Sequence, residues 1–455
     1  MLKIYNTLSR SVEEFKPIDP NNVRIYSCGP TVYSTQHLGN MRSAFFTDLL
    51  KKTLRHLCGY TITHVVNITD VGHLTGDNEW DADHGEDRME KGARKDGITA
   101  RDVAERYTKE YINDLKRLQI EDFEFVTPDT DNNTIKNKMP RATDHIQQQI
   151  EMVQELEKKW FTYIIPWDGI YMDTNKMEDY GVLTNKKNLE NIELWARVWD
   201  SGKRKITDFA LRKFNITSKK RDMERESPWW VGFPGWHIEC SAMSRQYLWD
   251  HFDIHTGGME HIPIHHTNEI AQSECCWSNK PWVNYRVHNQ WLMMNGKKIA
   301  KSDGNVAFIS DVKSKEYTSE DLRYFFFQAN YRSFQDFTRE SLEAASKGRK
   351  KLKLVSDENY PRDEVVAPLL DDLNTPIFLA NIQKYGISDK LNNIFHLYKP
   401  EEKVTIPDDI AALAEQRRQA KINKDRTTAD TIRNQLNKLG WVMNDGEDDY
   451  QIIKK

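Results

Sequence analysis

His265 and Glu269 stand four residues apart in HHTNEIAQSECCW, a run whose pattern predicts a helix. At that spacing both project from one helix face and can hold one ion, although a His and a Glu so placed are more often an exposed polar pair. Cys28 and Cys240 add two sulfur donors, each expected at the mouth of the cleft this helix opens on. Two thiolates, an imidazole and a carboxylate suit zinc, but donors so scattered along the chain do not mark a zinc site by spacing alone. A second group, His37-Leu38-Gly39-Asn40, begins a predicted helix whose free N–H groups make an anion site. Taken alone, His37 reads as a capping or surface histidine. The third group is Lys298-Ile299-Ala300-Lys301-Ser302, inside WLMMNGKKIAKSDGN. Its two lysines, flanked by Gly296 and Gly304, suit either a solvated turn or a loop that neutralises phosphate.

The elements that must carry these groups are legible around them. Residues 23–70 read as strand, loop, helix and strand, with an apolar stripe at Leu38, Met41, Phe45, Leu49 and Leu57 and a β-branched run from Thr61 to Ile68. Short joins make this a right-handed crossover with parallel strands, so Cys28 and Thr69 fall at the carboxyl ends where ligands bind. Residues 227–277 repeat the plan: a rigid loop SPWWVGFPGWHIEC, a helix opening at Trp236, the strand HFDIHTGG and the helix from His265. Two such halves around one cleft define a doubly wound α/β sheet. Between them, ATDHIQQQIEMVQELEKK is an amphipathic helix and YIIPWDGIYMD a hairpin, read together as an insertion. Met1 to Pro20 reads as a short hairpin or an extended lead-in, residues 77–95 as a polar loop, Thr99 as a helix cap, and the chain from Asp321 as mostly helical.

A chain of 455 residues predicts two or three domains. With 38% apolar and 29% charged residues and no run long enough to span a bilayer, it reads as a soluble protein without a membrane partner. No secretory pattern occurs at Met1–Asn6, so a cytoplasmic location is expected. Five dispersed cysteines argue for thiols or metal ligands and against a disulfide framework. The net charge of −4 means that any RNA must be recognised through local patches.

His37-Leu38-Gly39-Asn40 resembles the "HIGH" signature of class I aminoacyl-tRNA synthetases, with Asn40 able to donate a hydrogen bond but carrying no charge. Cys28-Gly29-Pro30-Thr31-Val32-Tyr33 resembles the cysteine-specific branch, and Lys298 to Ser302 resembles "KMSKS" with Ile299 and Ala300 substituted. The resemblance spans nearly the whole chain. It implies a Rossmann-type catalytic domain with an inserted connective subdomain and a C-terminal α-helical bundle. The implied divisions are 1–110 and 206–310 for the catalytic halves, 111–205 for the acceptor-end insertion, 311–345 for the connection and 346–455 for the anticodon-binding bundle.

The implied activity is adenylation of cysteine by ATP with Mg²⁺, then transfer to the 3′ end of tRNA(Cys), by a monomer. The implied sites are Cys28, Cys240, His265 and Glu269 for one Zn²⁺, Thr69, Trp236 and His255 for cysteine, and His37, Gly39, Asn40, Lys298, Lys301 and Ser302 for ATP. Of these, His37, Asn40, Lys298 and Lys301 are expected to act in the chemistry. Thiolate bonding to zinc would then select cysteine over serine without an editing domain. A basic run including Lys347, Arg349 and Lys350 reads as a solvated face or an RNA contact. Two rivals stay open: a zinc-dependent ligase of mycothiol synthesis, against which residues 406–446 argue, and a retired paralogue that binds RNA.

Overall fold

The computed structural model describes residues 1–71, 88–184, 202–216, 223–299, 305–314, 317–400, 406–445 and 450–454. They form two compact units, Met1–Tyr398 and Lys399–Lys455. The first begins with the expected hairpin, β1 (Lys3–Asn6) against β2 (Ser11–Glu14). Then β3 (Asn22–Ser27), α1 (Leu38–His56) and β4 (Thr61–Val66) make the first crossover. The stripe on α1 packs into the core: Leu38, Met41, Phe45 and Leu49 are buried, as are Leu50 and Leu54 beside them, while Leu57, just past the helix, is partly buried. Past its last turn Gly59 takes φ +83°, a left-handed conformation that glycine adopts without a Cβ penalty.

Next come α2 (Arg88–Asp96), which lies where a polar loop was expected, and α3 (Ala100–Arg117). Thr99 caps α3 in a reciprocal box with Asp102. β5 (Glu124–Val126) and β6 (Asn137–Pro140) then join the same parallel sheet. The sheet thus runs past residue 111, where the insertion was expected to begin, because strands of three and four residues are too short to show an alternation.

After β6 come α4 (Ile146–Lys158) and an antiparallel sheet of β7 (Thr162–Ile165), β8 (Gly169–Met172), β9 (Phe209–Phe214) and β10 (Gly232–Pro234). The chain returns through α5 (Trp236–Leu248), β11 (Phe252–Gly258), α6 (His265–Trp277) and β12 (Val283–Asn289). The six parallel strands lie in the order β12-β11-β3-β4-β6-β5. Strand order therefore reverses between β3 and β11, where Ser27 pairs with Thr256, and a cleft opens beyond that point.

Helices, with short strands among them, continue to Phe395, and the first unit extends to Tyr398, so part of the expected 346–455 bundle belongs with the first unit. The second unit holds helices Asp408–Ile422 and Arg426–Lys438 and the hairpin Trp441–Asp445 with Tyr450–Lys454. Among the described residues, no helix is long and apolar enough to cross a membrane.

Charged residues on α1 fasten it to its surroundings. Buried Arg42 donates to the carbonyls of Gln290 (2.7 Å), Trp291 (2.9 Å), Asn330 (3.3 Å) and Ser333 (2.9 Å). Lys51 pairs with Glu121 at 3.1 Å, and Arg55 pairs with the same carboxylate. Burial works against charge on Glu121, but Lys51 and Arg55 outweigh it and hold the carboxyl at about 2. An unfolded chain would titrate it near ~4.3, so the folded state favours the ionised form by about 2–3 kcal/mol. That stabilisation is whole above the unfolded value and is lost as pH falls toward the folded one. Glu121→Gln should therefore lower stability to urea by about 2 kcal/mol at neutral pH. The gap from the parent should narrow between about pH 5 and pH 3, and a gap independent of pH would reject the ion-pair account.

Candidate active site

Cys28 follows directly on β3, and its N–H donates to the carbonyl of Thr256 on β11 at 3.4 Å. Cys240 lies on α5 and His265 and Glu269 on the first turns of α6, so three elements bring four donors to the strand switch point. Their ligand atoms all lie within 4.8 Å of one another. Cys28 Sγ is 3.8 Å from Cys240 Sγ and 3.5 Å from Glu269 Oε1; Cys240 Sγ is 3.5 Å from His265 Nε2; and His265 Nε2 is 3.0 Å from Glu269 Oε1. A tetrahedral ion with sulfur bonds of about 2.3 Å holds two sulfurs ~3.8 Å apart and sulfur to nitrogen or oxygen ~3.5 Å apart. The donor set fits such an ion.

A second grouping, Cys28, His255, His266 and Glu269, also lies within 4.8 Å. It shares two donors with the first and offers one sulfur instead of two. His255 Nε2 sits 2.5 Å from Glu269 Oε2, and that bond turns the other carboxylate oxygen, Oε1, toward Cys28 and His265. Hydrogen-bonded partners that fix a ligating carboxylate or imidazole are part of how metal sites work. His265 has one as well: its Nδ1 lies 2.9 Å from His237 Nδ1. His266 Nε2 approaches Cys28 Sγ at 3.3 Å, while its Nδ1 meets His288 at 2.8 Å and His288 meets Thr7 at 2.8 Å. The sequence reasoning missed His237, His266 and His288. The doublet His265-His266 on a helix buried all round was the available signal.

Electrostatics follow from burial and crowding. Burial pushes the Cys28 thiol well up, and Cys240 and Glu269 add to this. Burial also opposes charge on His265, but Glu269 and Cys240 carry it up to about 10. Burial works against ionised Glu269 too, and His255 and His265 overcome it to hold the carboxyl well below its ordinary range.

The remaining expected residues are placed unevenly. The half-buried Trp236 lines the cleft, its ring 4.4 Å from that of His265. Thr69 and His255 are buried and act through neighbours: Thr69 Oγ1 accepts from Asn67, and His255 from behind holds Glu269. His37 caps α1, its Nδ1 accepting the Asn40 N–H at 3.3 Å, with Gly39 packed against the ring. Asn40 is exposed at the cleft wall. Lys298 lies over the ring of Trp291 at 4.1 Å, whereas Lys301 and Ser302 fall outside the described residues. Arg349 is no RNA contact: it is buried in an ion pair with Asp321 at 2.6 Å.

Residues 14–347 match the family model "tRNA synthetases class I (C) catalytic domain". A solved Mycobacterium tuberculosis methionyl-tRNA synthetase in complex with methionyl-adenylate shares the fold, with a TM-score of 0.56 at 11% identity over 80% of this chain and 82% of that one. The protein is thus a class I aminoacyl-tRNA synthetase by fold and by sequence. Within that class the chain belongs to the cysteine–tRNA ligase family. It is 36% identical to the Treponema denticola cysteine–tRNA ligase over 501 residues, covering 98% of each chain. It is 38% identical to Burkholderia lata cysteine–tRNA ligase 1 over 476 residues, covering 99% of this chain and 97% of that one.

One glycine sets the position of Cys28. A Cβ on Gly29 would land on the carbonyl of Asn67, whose side chain accepts the Gly29 N–H at 2.8 Å. Gly29→Ala should therefore cost about 2–4 kcal/mol in urea unfolding, since backbone must move. Gly59→Ala, at a position with φ +83° and nothing within 4 Å, should cost only about 1 kcal/mol. Equal costs at the two sites would show that the Asn67 contact does not matter.

Proposed function

We propose that this chain is a cysteine–tRNA ligase that joins cysteine to AMP from ATP and passes it to the 3′ end of tRNA(Cys). The observation that carries the reading is kinship along nearly the whole chain with enzymes of that name, together with two cysteines in the four-donor group. In the first step a carboxylate oxygen of cysteine bonds to the α-phosphorus, and the bond to the β-phosphate breaks with pyrophosphate as leaving group. In the second, a hydroxyl of the terminal ribose attacks the acyl carbon and AMP departs.

The free N–H groups at the start of α1, with His37 and Asn40, bind phosphate or ribose oxygens. Lys298 and Lys301 offset charge that grows on the phosphates as the α–β bond breaks, with Mg²⁺ accompanying ATP. Cys28, Cys240, His265 and Glu269 would hold zinc, which there would supply a borderline-soft Lewis acid with far more affinity for a thiolate than for a hydroxyl. Glu269 is kept in place by His255 and His265 by His237, so the donors keep one arrangement. Trp236 closes one wall of the amino-acid pocket, and Asn67 links the Gly29 and Thr69 sides of its floor.

Two measurements test the reading. Exchange of labelled pyrophosphate into ATP should depend on cysteine, and serine should support it at least about a thousand-fold less well, as a site that selects by ligand chemistry allows. Comparable exchange with serine would refute selection by the thiol. Cys28→Ser should lower bound zinc and cysteine affinity together, each by roughly ten-fold or more, because one of four donors is lost. Full zinc content with unaltered KM for cysteine would remove Cys28 from the site.

A further inference from the structure

Lys298 is exposed, yet its ammonium is not left to wander in solvent. It sits 4.1 Å from the centroid of the Trp291 indole, on the ring face, where cation–π attraction operates. The indole is fixed from several sides. Its Nε1–H donates to Glu260 Oε2 at 2.6 Å, while the Trp291 backbone that carries it is held by its N–H donating to Gln290 Oε1 at 3.0 Å and its carbonyl accepting from buried Arg42 at 2.9 Å. The Phe334 ring packs 6.2 Å away.

The lysine's backbone is fixed as well. β13 (Leu292–Met294) and β14 (Lys297–Lys298) form a hairpin whose two turn residues, Asn295 and Gly296, take φ +52° and +74°. The Gly296 N–H donates to both carboxylate oxygens of Asp336 at 3.0 Å, and Asn305 Nδ2 donates to the carbonyls of Met294 (3.1 Å) and Lys298 (3.3 Å). Glu260, which holds the indole, lines the cleft.

We propose that Trp291 is a positioning residue: its anchored indole keeps the Lys298 ammonium beside the cleft, oriented for the phosphate charge of the activation step. The proposal rests on the adenylation reading above. A free lysine side chain spreads over many rotamers, of which few place the charge near a bound triphosphate. A ring tied to the cleft wall through Glu260, on a backbone tied to α1 through Arg42, narrows that spread. Its benefit falls on the chemical step, where phosphate charge develops, and not on amino-acid binding.

Cysteine-dependent pyrophosphate exchange on the full chain tests this through a double-mutant cycle. Trp291→Leu should lower kcat about five-fold with KM for cysteine unchanged within about two-fold, and Trp291→Phe, which keeps a ring face, should recover most of the loss. In a Lys298→Ala background, Trp291→Leu should cost almost nothing further. Should the leucine variant fail to fold, Trp291→Met takes its place in the same cycle. An active parent in which the Trp291 change costs the same with and without the Lys298 amine would overturn the positioning role, as would an undiminished kcat. A parent without cysteine-dependent exchange would instead overturn the adenylation reading itself.

Discussion

Glu269 is wholly buried and bridges two imidazoles, His255 at 2.5 Å and His265 at 3.0 Å, with the Cys28 sulfur 3.5 Å away. A carboxylate taken fully out of water costs several kcal/mol unless its partners are close and well aimed, so this one fixes where its neighbours must stand. His255 comes from a central strand of the parallel sheet and His265 from the helix that follows it, while Cys28 comes from the adjacent strand of the other half. Only a sheet whose order reverses between β3 and β11 puts those elements side by side with an open edge above them. The close backbone approach follows from the same demand. Gly29 admits the Asn67 carbonyl, and Gly257 leaves room for the rings of His261 and His266.

Helix α1 carries the other half of the constraint. Its N-terminus opens on the cleft, so its own position has to be as firm as that of the donors. Apolar packing alone would leave it free to slide, since a stripe of Leu, Met and Phe tolerates small shifts. Arg42 does not, because its guanidinium donates to four carbonyls on two separate chain segments, residues 290–291 and 330–333. Farther along the helix, Lys51 pairs with Glu121 at 3.1 Å, and Asp48, held by Lys52 of the same helix at 2.8 Å, faces Arg323 at 3.8 Å. Removing one partner from such a buried set costs more than the set contributes, which ties the register of α1 to residues far from it in sequence.

The legible parts of this architecture were those with strong period or punctuation. The stripe on α1, the β-branched run of β4, the Thr99 cap and the helix from His265 were readable because each spans enough residues to repeat. β5 and β6 were not, since three- and four-residue strands carry no period, and their membership of the sheet depends on pairing with β4. The four donors were named through the family resemblance and not from spacing; of the neighbours that orient them, His255 was named only as a cysteine contact and His237 not at all. A buried histidine such as His237 or His288 looks the same in sequence as any core polar residue, and its role exists only through a partner 28 or 22 positions away. Arg349 shows the converse error: a basic run reads as surface, yet Asp321 draws one of its members inward.

The uneven burial of the expected residues carries its own argument. Of the expected site residues, Cys240, Glu269 and Thr69 are buried and tied, whereas Asn40 and Lys298 are exposed. Rigid placement suits selection among amino acids, because rejecting a near-isostere requires donors that do not relax toward the wrong one. Exposure suits groups that answer a large, highly charged nucleotide, whose arrival itself supplies the energy to order them. What an exposed lysine lacks in burial it must regain by tethering, and the indole of Trp291, bound to the cleft wall through Glu260, is where the fold supplies a tether. On the proposed function, selectivity and catalysis fall to two kinds of structure beside one cleft, a buried group of donors and an exposed but anchored cation.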